Sequence, residues 1–163
     1  MAQKFVVWLN QVGKEDIPLV GGKGANLGEM AKAGFGVPPA FIITSTAYFY
    51  FLEKNRLDQK IKQILKRDLD WENPGTLQDV SQAIRKLILT SAIPDEIAKE
   101  IVKDYEDLEK FQGLKSFFMG QPLVAVRSSA TAEDLPNASF AGQQETFLNT
   151  KGDANLLENV RRC

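Results

Sequence analysis

The apolar residues of the chain follow two spacing patterns, which divide it into three regions. Continuous apolar runs at positions 5–9, 41–44 and 123–126 are typical of short buried strands, and residues 146–148 resemble another. In the long region 45–119, apolar side chains recur at intervals of three and four residues, which is typical of helices with one buried face. The sequence therefore predicts the α+β class, with a small mixed sheet and a largely helical middle insertion.

Glycine and capping residues indicate where the predicted helices begin and end. A helix over residues 26–32 should be closed by Gly34, because glycine readily adopts the left-handed conformation that follows many helices. Ser45 is a candidate cap for the next helix, and Thr76 with Asp79 three residues later resembles a capping box. A final helix should present one apolar face, formed by Leu156, Leu157, Val160 and Cys163.

The composition excludes several classes of function. The chain has 163 residues, no histidine and one cysteine, so catalytic triads, histidine-ligated zinc and phosphohistidine transfer by its own residues are ruled out. The lone Cys163 cannot form an internal disulfide, which suits a reducing compartment. The net charge of −1 gives no basic excess for nucleic acid or an anionic membrane. Because the apolar run at 5–9 is too short for a signal peptide, we expect a cytoplasmic protein.

The first candidate for chemistry is a glycine-rich stretch at residues 20–30, named here the glycine motif. Four glycines in eight residues allow close backbone approach, and the helix that follows directs its first N–H groups toward the same place. Lys23 lies near that helix start, where a cation opposes the helix dipole unless an anion is bound between them. The motif is neither a phosphate loop nor a dinucleotide fingerprint. A phosphate site and an ordinary turn with a solvent-facing lysine both remain open at this point.

The second candidate is the stretch at residues 126–149, named here the arginine motif. Arg127 ends a predicted buried strand, so its guanidinium could present a bidentate fork to phosphate oxygens. Hydroxyl donors follow at Ser128, Ser129 and Thr131. The alternative is that Arg127 pairs with Glu133 or Asp134 and holds the loop.

Together the two motifs resemble those of the phosphoenolpyruvate synthases (pyruvate, water dikinases). The glycine motif contains Gly21-Gly22-Lys23-Gly24-Ala25-Asn26-Leu27-Gly28-Glu29-Met30, and the arginine motif begins Val126-Arg127-Ser128-Ser129-Ala130-Thr131-Ala132-Glu133-Asp134-Leu135-Pro136. The motifs stand in the order expected for that family, about 100 residues apart, and the sequence between them is compatible. The resemblance therefore covers the whole chain.

The resemblance implies the N-terminal part of an ATP-grasp nucleotide-binding domain. In such enzymes ATP, pyruvate and water give AMP, phosphoenolpyruvate and phosphate through a histidine on another domain. It implies that Lys23 and Arg127 bind the ATP polyphosphate, and that Gly142 and Thr146 line the nucleotide site. The carboxylates that hold Mg²⁺, the phosphorylated histidine and the pyruvate-binding domain should all lie beyond Cys163.

Three functions follow as expectations. The first is the ATP-binding part of a phosphoenolpyruvate synthase, with residues 1–163 a truncated fragment that does not turn over by itself. The second is the same domain of a sister dikinase such as a rifamycin phosphotransferase, which shares both motifs; pyruvate, phosphate dikinases match the arginine motif less well. The third is a non-catalytic helical interaction module, which residues 45–119 would allow. Placement of Lys23 and Arg127 on opposite faces would favour this module.

Overall fold

The structure is a computed structural model that describes residues 4–68, 70, 72–111, 121–131 and 145–163. Helices and strands are mixed within these ranges. In chain order the elements are β1 (Val6–Trp8), α1 (Ile17–Lys32), β2 (Phe41–Ile43), α2 (Ser45–Lys54), α3 (Leu57–Asp68), α4 (Pro74–Leu89), α5 (Asp95–Phe111), β3 (Val124–Arg127), β4 (Thr146–Thr150) and α6 (Asp153–Arg162). Single 3₁₀ turns at Leu9–Gln11 and Lys14–Asp16 connect β1 to α1.

Strand β1 separates two apolar cores. It pairs antiparallel with β2, with Val6 opposite Ile43 and Val7 opposite Ile42. Successive side chains of a strand point to opposite faces of its sheet. Accordingly, Val6 packs in the larger core, with α2, α5 and α6, whereas Val7 packs in the smaller core with Val20 of α1. Burial on both faces explains why β1 is continuously apolar rather than alternating.

Strands β3 and β4 form a second antiparallel pair. Arg127 lies opposite Thr146, and Val126 opposite Phe147. One extra residue on β4 then shifts the register, so that Val124 lies opposite Thr150. Asn149 in this bulge has a positive φ of 54°.

The predicted mixed sheet is wrong for the described residues. The four predicted strands are present, but they pair as two separate antiparallel ladders instead of one sheet with parallel and antiparallel neighbours. Each strand has only three to five residues and one partner. Apolar runs identify strands but carry no information about which strands pair, because pairing depends on contacts distant in sequence.

The predicted helices are confirmed, but two of their caps are wrong. Helix α2 is capped by Thr44, whose Oγ1 accepts a hydrogen bond from the Ala47 amide at 3.3 Å, and not by Ser45. Helix α4 is capped by Asn73, whose Oδ1 accepts from the Gly75 amide at 2.9 Å. The Thr76 hydroxyl instead donates to backbone carbonyls that precede the helix.

Helix α1 ends as predicted but begins earlier. Gly34 has a φ of 82°, and the amides of Gly34 and Phe35 donate to the carbonyls of Ala31 and Met30, which is the bonding pattern of a Schellman motif. The helix starts at Ile17 rather than at residue 26, so the glycine motif lies inside it. Within the described residues, no helix combines the length and apolar composition that a bilayer crossing requires.

Candidate functional site

The glycine motif contains a sharp kink in α1. Gly21 has φ 74° and ψ 167°, so the helix stops and restarts at this residue. This region of backbone conformation is essentially restricted to glycine. A Cβ at Gly21 would also lie 2.4 Å from the hydroxyl and 2.6 Å from the carbonyl oxygen of Ser129. Glycine is therefore required twice here, for the backbone conformation and for the approach of the arginine motif.

Backbone and hydroxyl groups join the two motifs at this kink. The Ser129 hydroxyl donates to the Val20 carbonyl at 2.8 Å and accepts from the Gly24 amide at 3.1 Å. The Gly22 amide donates to the carbonyl of Ala130 at 3.2 Å. Segments more than 100 residues apart in sequence are thus in direct contact.

This arrangement corrects one expectation about the glycine motif. The sequence predicts that its glycines let backbone amides approach a ligand, but the Gly22 and Gly24 amides both donate to the arginine motif. Gly28 likewise serves packing, since a Cβ there would lie 2.3 Å from the Val12 carbonyl oxygen. The described contacts of these glycines are therefore with other parts of this chain. Positive charge for an anion at this site would have to come from side chains.

Lys23 projects from the restarted helix, between Gly22 and Gly24. Its side chain is half-buried, and its ammonium lies close enough to the Cys163 thiol to lower the pKa of that thiol. Ser128 hydrogen-bonds the same thiol, which also donates to the Glu145 carbonyl at 3.3 Å. Partial burial is the larger effect and leaves the pKa of Cys163 above its usual value. Lys23 and Ser128 therefore both lie near the Cys163 thiol.

Arg127 and Thr146 occupy directly opposed positions on β3 and β4. Opposed residues of an antiparallel pair project from the same face of the sheet, and both of these are exposed. No hydrogen bond or ion pair engages the Arg127 guanidinium within the part of the chain that the structure describes. The alternative partners Glu133 and Asp134 lie outside the described residues, as does Gly142.

One ion pair at the site has no counterpart among the sequence predictions. Arg85 of α4 donates to the Glu145 carboxylate at 2.6 Å, and the Glu145 carbonyl in turn accepts from the Ser128 amide at 3.5 Å. This pair connects the helical middle region to the start of β4. Arg85 and Glu145 are 60 residues apart, and no local pattern signals such a pairing.

The described residues contain no cluster of metal-ligating side chains. No group of three or more acidic, cysteine or histidine side chains among them could hold an ion. The carboxylate of Glu145 is paired with Arg85. The Mg²⁺ ligands that the resemblance implies, beyond Cys163, stay a prediction.

Comparison with known proteins covers nearly all of the chain. The family model of the pyruvate phosphate dikinase AMP/ATP-binding domain matches residues 17–163. A probable phosphoenolpyruvate synthase of Staphylothermus marinus is 47% identical over 161 residues, which covers 99% of this chain and 19% of that protein. A probable phosphoenolpyruvate synthase of Methanocaldococcus jannaschii is 44% identical over 162 residues, which covers 99% of this chain and 13% of that protein. The phosphoenolpyruvate synthase of Pyrococcus furiosus is 41% identical over 194 residues, which covers 100% of this chain and 23% of that protein.

The chain thus spans less than a quarter of the length of these relatives. The resemblance that the two motifs predicted is confirmed by both the family model and the relatives. Because the matched stretch includes the glycine motif, the arginine motif and everything between them, the chain belongs to the pyruvate phosphate dikinase AMP/ATP-binding domain family.

Proposed function

We propose that the chain binds the polyphosphate of ATP through Lys23 and Arg127, as part of an ATP-grasp nucleotide-binding domain. The observation that carries the proposal is the junction between the motifs, in which Ser129 bonds both Val20 and Gly24 on either side of the kink. Lys23 is adjacent to Gly24, and Arg127 precedes Ser129 by two residues, at most roughly 7 Å of extended chain. This contact between motifs distant in sequence supports a shared anion site for the two cations.

Two cations of these kinds suit a polyphosphate. The arginine fork matches phosphate oxygens in a bidentate manner, and the lysine is a compact point charge. Phosphoryl transfer depends mainly on positioning and on neutralising charge, which such groups supply. Thr146, opposite Arg127, and Gly142 complete the proposed set of nucleotide contacts. The interaction-module alternative would leave the convergence of these two motifs without a role.

At the level of the whole protein, we propose the reaction named for the relatives. ATP would phosphorylate a histidine on another domain and, through it, pyruvate bound elsewhere, with Mg²⁺ held by carboxylates outside the described residues. The length of the relatives supports this division of labour, since they are more than four times as long as the chain. Residues 1–163 alone should then bind ATP weakly and form no phosphoenolpyruvate. Micromolar binding by residues 1–163 would contradict that expectation.

Calorimetric titration with Mg·ATP tests the proposed contacts. In the intact protein, Lys23→Ala and Arg127→Ala should each weaken binding about 10- to 100-fold, because a hydrogen bond to a charged group contributes roughly 1.5–3 kcal/mol. Lys32→Ala is the matched control, since Lys32 is an exposed lysine in the last turn of the same helix. The control should bind within about twofold of the unmodified protein. Unchanged affinity in both Lys23→Ala and Arg127→Ala would refute the proposal.

A further inference from the structure

We propose that Ser129 is a positioning residue for the nucleotide site, and that it fixes Lys23 relative to Arg127. Ser129 itself does not bind the phosphates; its hydroxyl holds the restarted part of α1 against the end of β3. The inference rests on the proposed function, because Lys23 and Arg127 must bind phosphate for their separation to matter.

The geometry of the hydroxyl supports this role. It donates to the Val20 carbonyl at 2.8 Å, before the kink at Gly21, and accepts from the Gly24 amide at 3.1 Å, after the kink. A serine hydroxyl has one proton to donate and lone pairs to accept, so both functions are used. One side chain thereby joins the two arms of a bent helix. The bond to the Gly24 amide therefore fixes the backbone position of the adjacent Lys23.

The kink creates the need for such a bridge. At Gly21 the regular helical bonding is interrupted, so that the carbonyl of Val20 and the amide of Gly24 do not bond as they would in a straight helix. Without a partner these buried backbone groups would be costly. The Ser129 hydroxyl satisfies both and couples the local helix geometry to the arginine motif. A backbone bond from the Gly22 amide to the Ala130 carbonyl, at 3.2 Å, reinforces the same junction.

A fixed lysine has an electrostatic consequence. A cation at a helix start is repelled by the helix dipole. Any movement of Lys23 away from the start of the restarted helix therefore lowers its electrostatic energy. A phosphate between the lysine and the helix removes that repulsion. By preventing the segment from relaxing in the absence of nucleotide, Ser129 would reduce the reorganisation that binding requires.

The test combines Ser129→Ala with a control that contacts the same helix. Ser45 donates its hydroxyl to the Pro18 carbonyl of α1 at 2.9 Å, a single exposed bond to the same helix that lies before the kink. Mg·ATP affinity is measured by calorimetry in the intact protein, and stability by urea unfolding. Ser129→Ala should weaken binding about tenfold, whereas Ser45→Ala should lose less stability than Ser129→Ala and keep its affinity within about twofold. Ser129→Thr, which keeps the hydroxyl, should restore binding to within about threefold.

A double-mutant cycle separates positioning of Lys23 from a general structural effect. If Ser129 acts through Lys23, then Ser129→Ala should add less than about twofold to the loss caused by Lys23→Ala. A full tenfold further loss in the Lys23→Ala background would overturn the inference, as would unchanged affinity in Ser129→Ala. Failure of the proposed function looks different, because Lys23→Ala and Arg127→Ala would then both bind Mg·ATP normally.

Discussion

Replacement of Gly21 by alanine should destabilise the fold through both backbone strain and a steric clash. The residue has φ 74° and ψ 167°, a conformation that costs a non-glycine residue roughly 1–3 kcal/mol. The new Cβ would lie 2.4–2.7 Å from three atoms of Ser129, two of them backbone. Ser129 must therefore move, and the loss of its two hydrogen bonds costs about 1 kcal/mol each. Together these effects should lower the free energy of unfolding by about 3–5 kcal/mol.

Two other glycines separate the contributions to this loss. Gly34 has a φ of 82° and open space for at least 4 Å around the position a Cβ would take, so Gly34→Ala should show the backbone cost alone, about 1–2 kcal/mol. Gly36 has open space and no positive φ, so Gly36→Ala should change stability by less than about 1 kcal/mol. Urea unfolding measures the free energy of unfolding of each of the three variants. The values can be compared if the dependence on urea concentration has the same slope in all of them. A loss in Gly21→Ala no larger than that in Gly34→Ala would refute the steric part of the reasoning.

Two further predictions concern α5. The Tyr105 hydroxyl is fully buried, donates to the Pro122 carbonyl at 2.6 Å and accepts from the Gly152 amide at 3.1 Å, so Tyr105→Phe should lower the free energy of unfolding by about 1–3 kcal/mol. Burial raises the pKa of Asp104, and the nearby carboxylate of Asp107 raises it further. The charge of Lys103 and a hydrogen bond from Trp8 lower this pKa but do not cancel the rise. Between the ordinary carboxyl pKa and the raised pKa of Asp104, the folded state binds more protons than the unfolded state. The free energy of unfolding therefore falls as pH rises through this range. Asp104→Asn should be more stable than the unmodified protein at pH 7, and this advantage, measured by urea unfolding, should shrink toward pH 4; an equal advantage at both values would contradict the assignment.

The sequence predicts the elements of this fold better than their connections. Helices α3 and α5 follow from apolar spacing, with Leu57 and Ile101 fully buried as the pattern requires. The pairing of Val6 with Ile43 does not follow, because strands of three residues offer many registers and the choice is made by packing on both faces. Local patterns report which face of an element is apolar, whereas pairing is a property of the assembled core.

Caps show the same limit on a smaller scale. Thr44 and Ser45 are adjacent and both can accept a hydrogen bond from a helix amide. Thr44 has the extended backbone that a cap requires, with φ −79° and ψ 161°, while the Ser45 hydroxyl is bonded to Pro18 of α1. The choice between them is made by a helix that lies earlier in the chain. Sequence spacing alone could place the cap only to within one residue.

The start of α1 is the clearest case in which tertiary structure overrides local preference. Each glycine in a helix costs about 1 kcal/mol relative to alanine, so a stretch with four of them predicts a loop. The structure nevertheless forms helix on both sides of a kink at Gly21, because Gly28 admits the Val12 carbonyl and Gly21 admits Ser129 at distances that no side chain would allow. The same feature that lowers the expectation of a helix is what permits its packing.

That packing also changes how the candidate site must recognise an anion. A glycine-rich helix start usually suggests that backbone amides bind phosphate. Here the Gly22 and Gly24 amides donate to the arginine motif, so in the proposed site attraction for a phosphate would come mainly from the Lys23 and Arg127 side chains. Side-chain charges on a half-buried lysine and an exposed arginine are screened by salt more than buried amides are. Affinity for ATP should therefore depend on ionic strength and on both cations together, and in the proposed site the glycines would contribute by holding those cations in place.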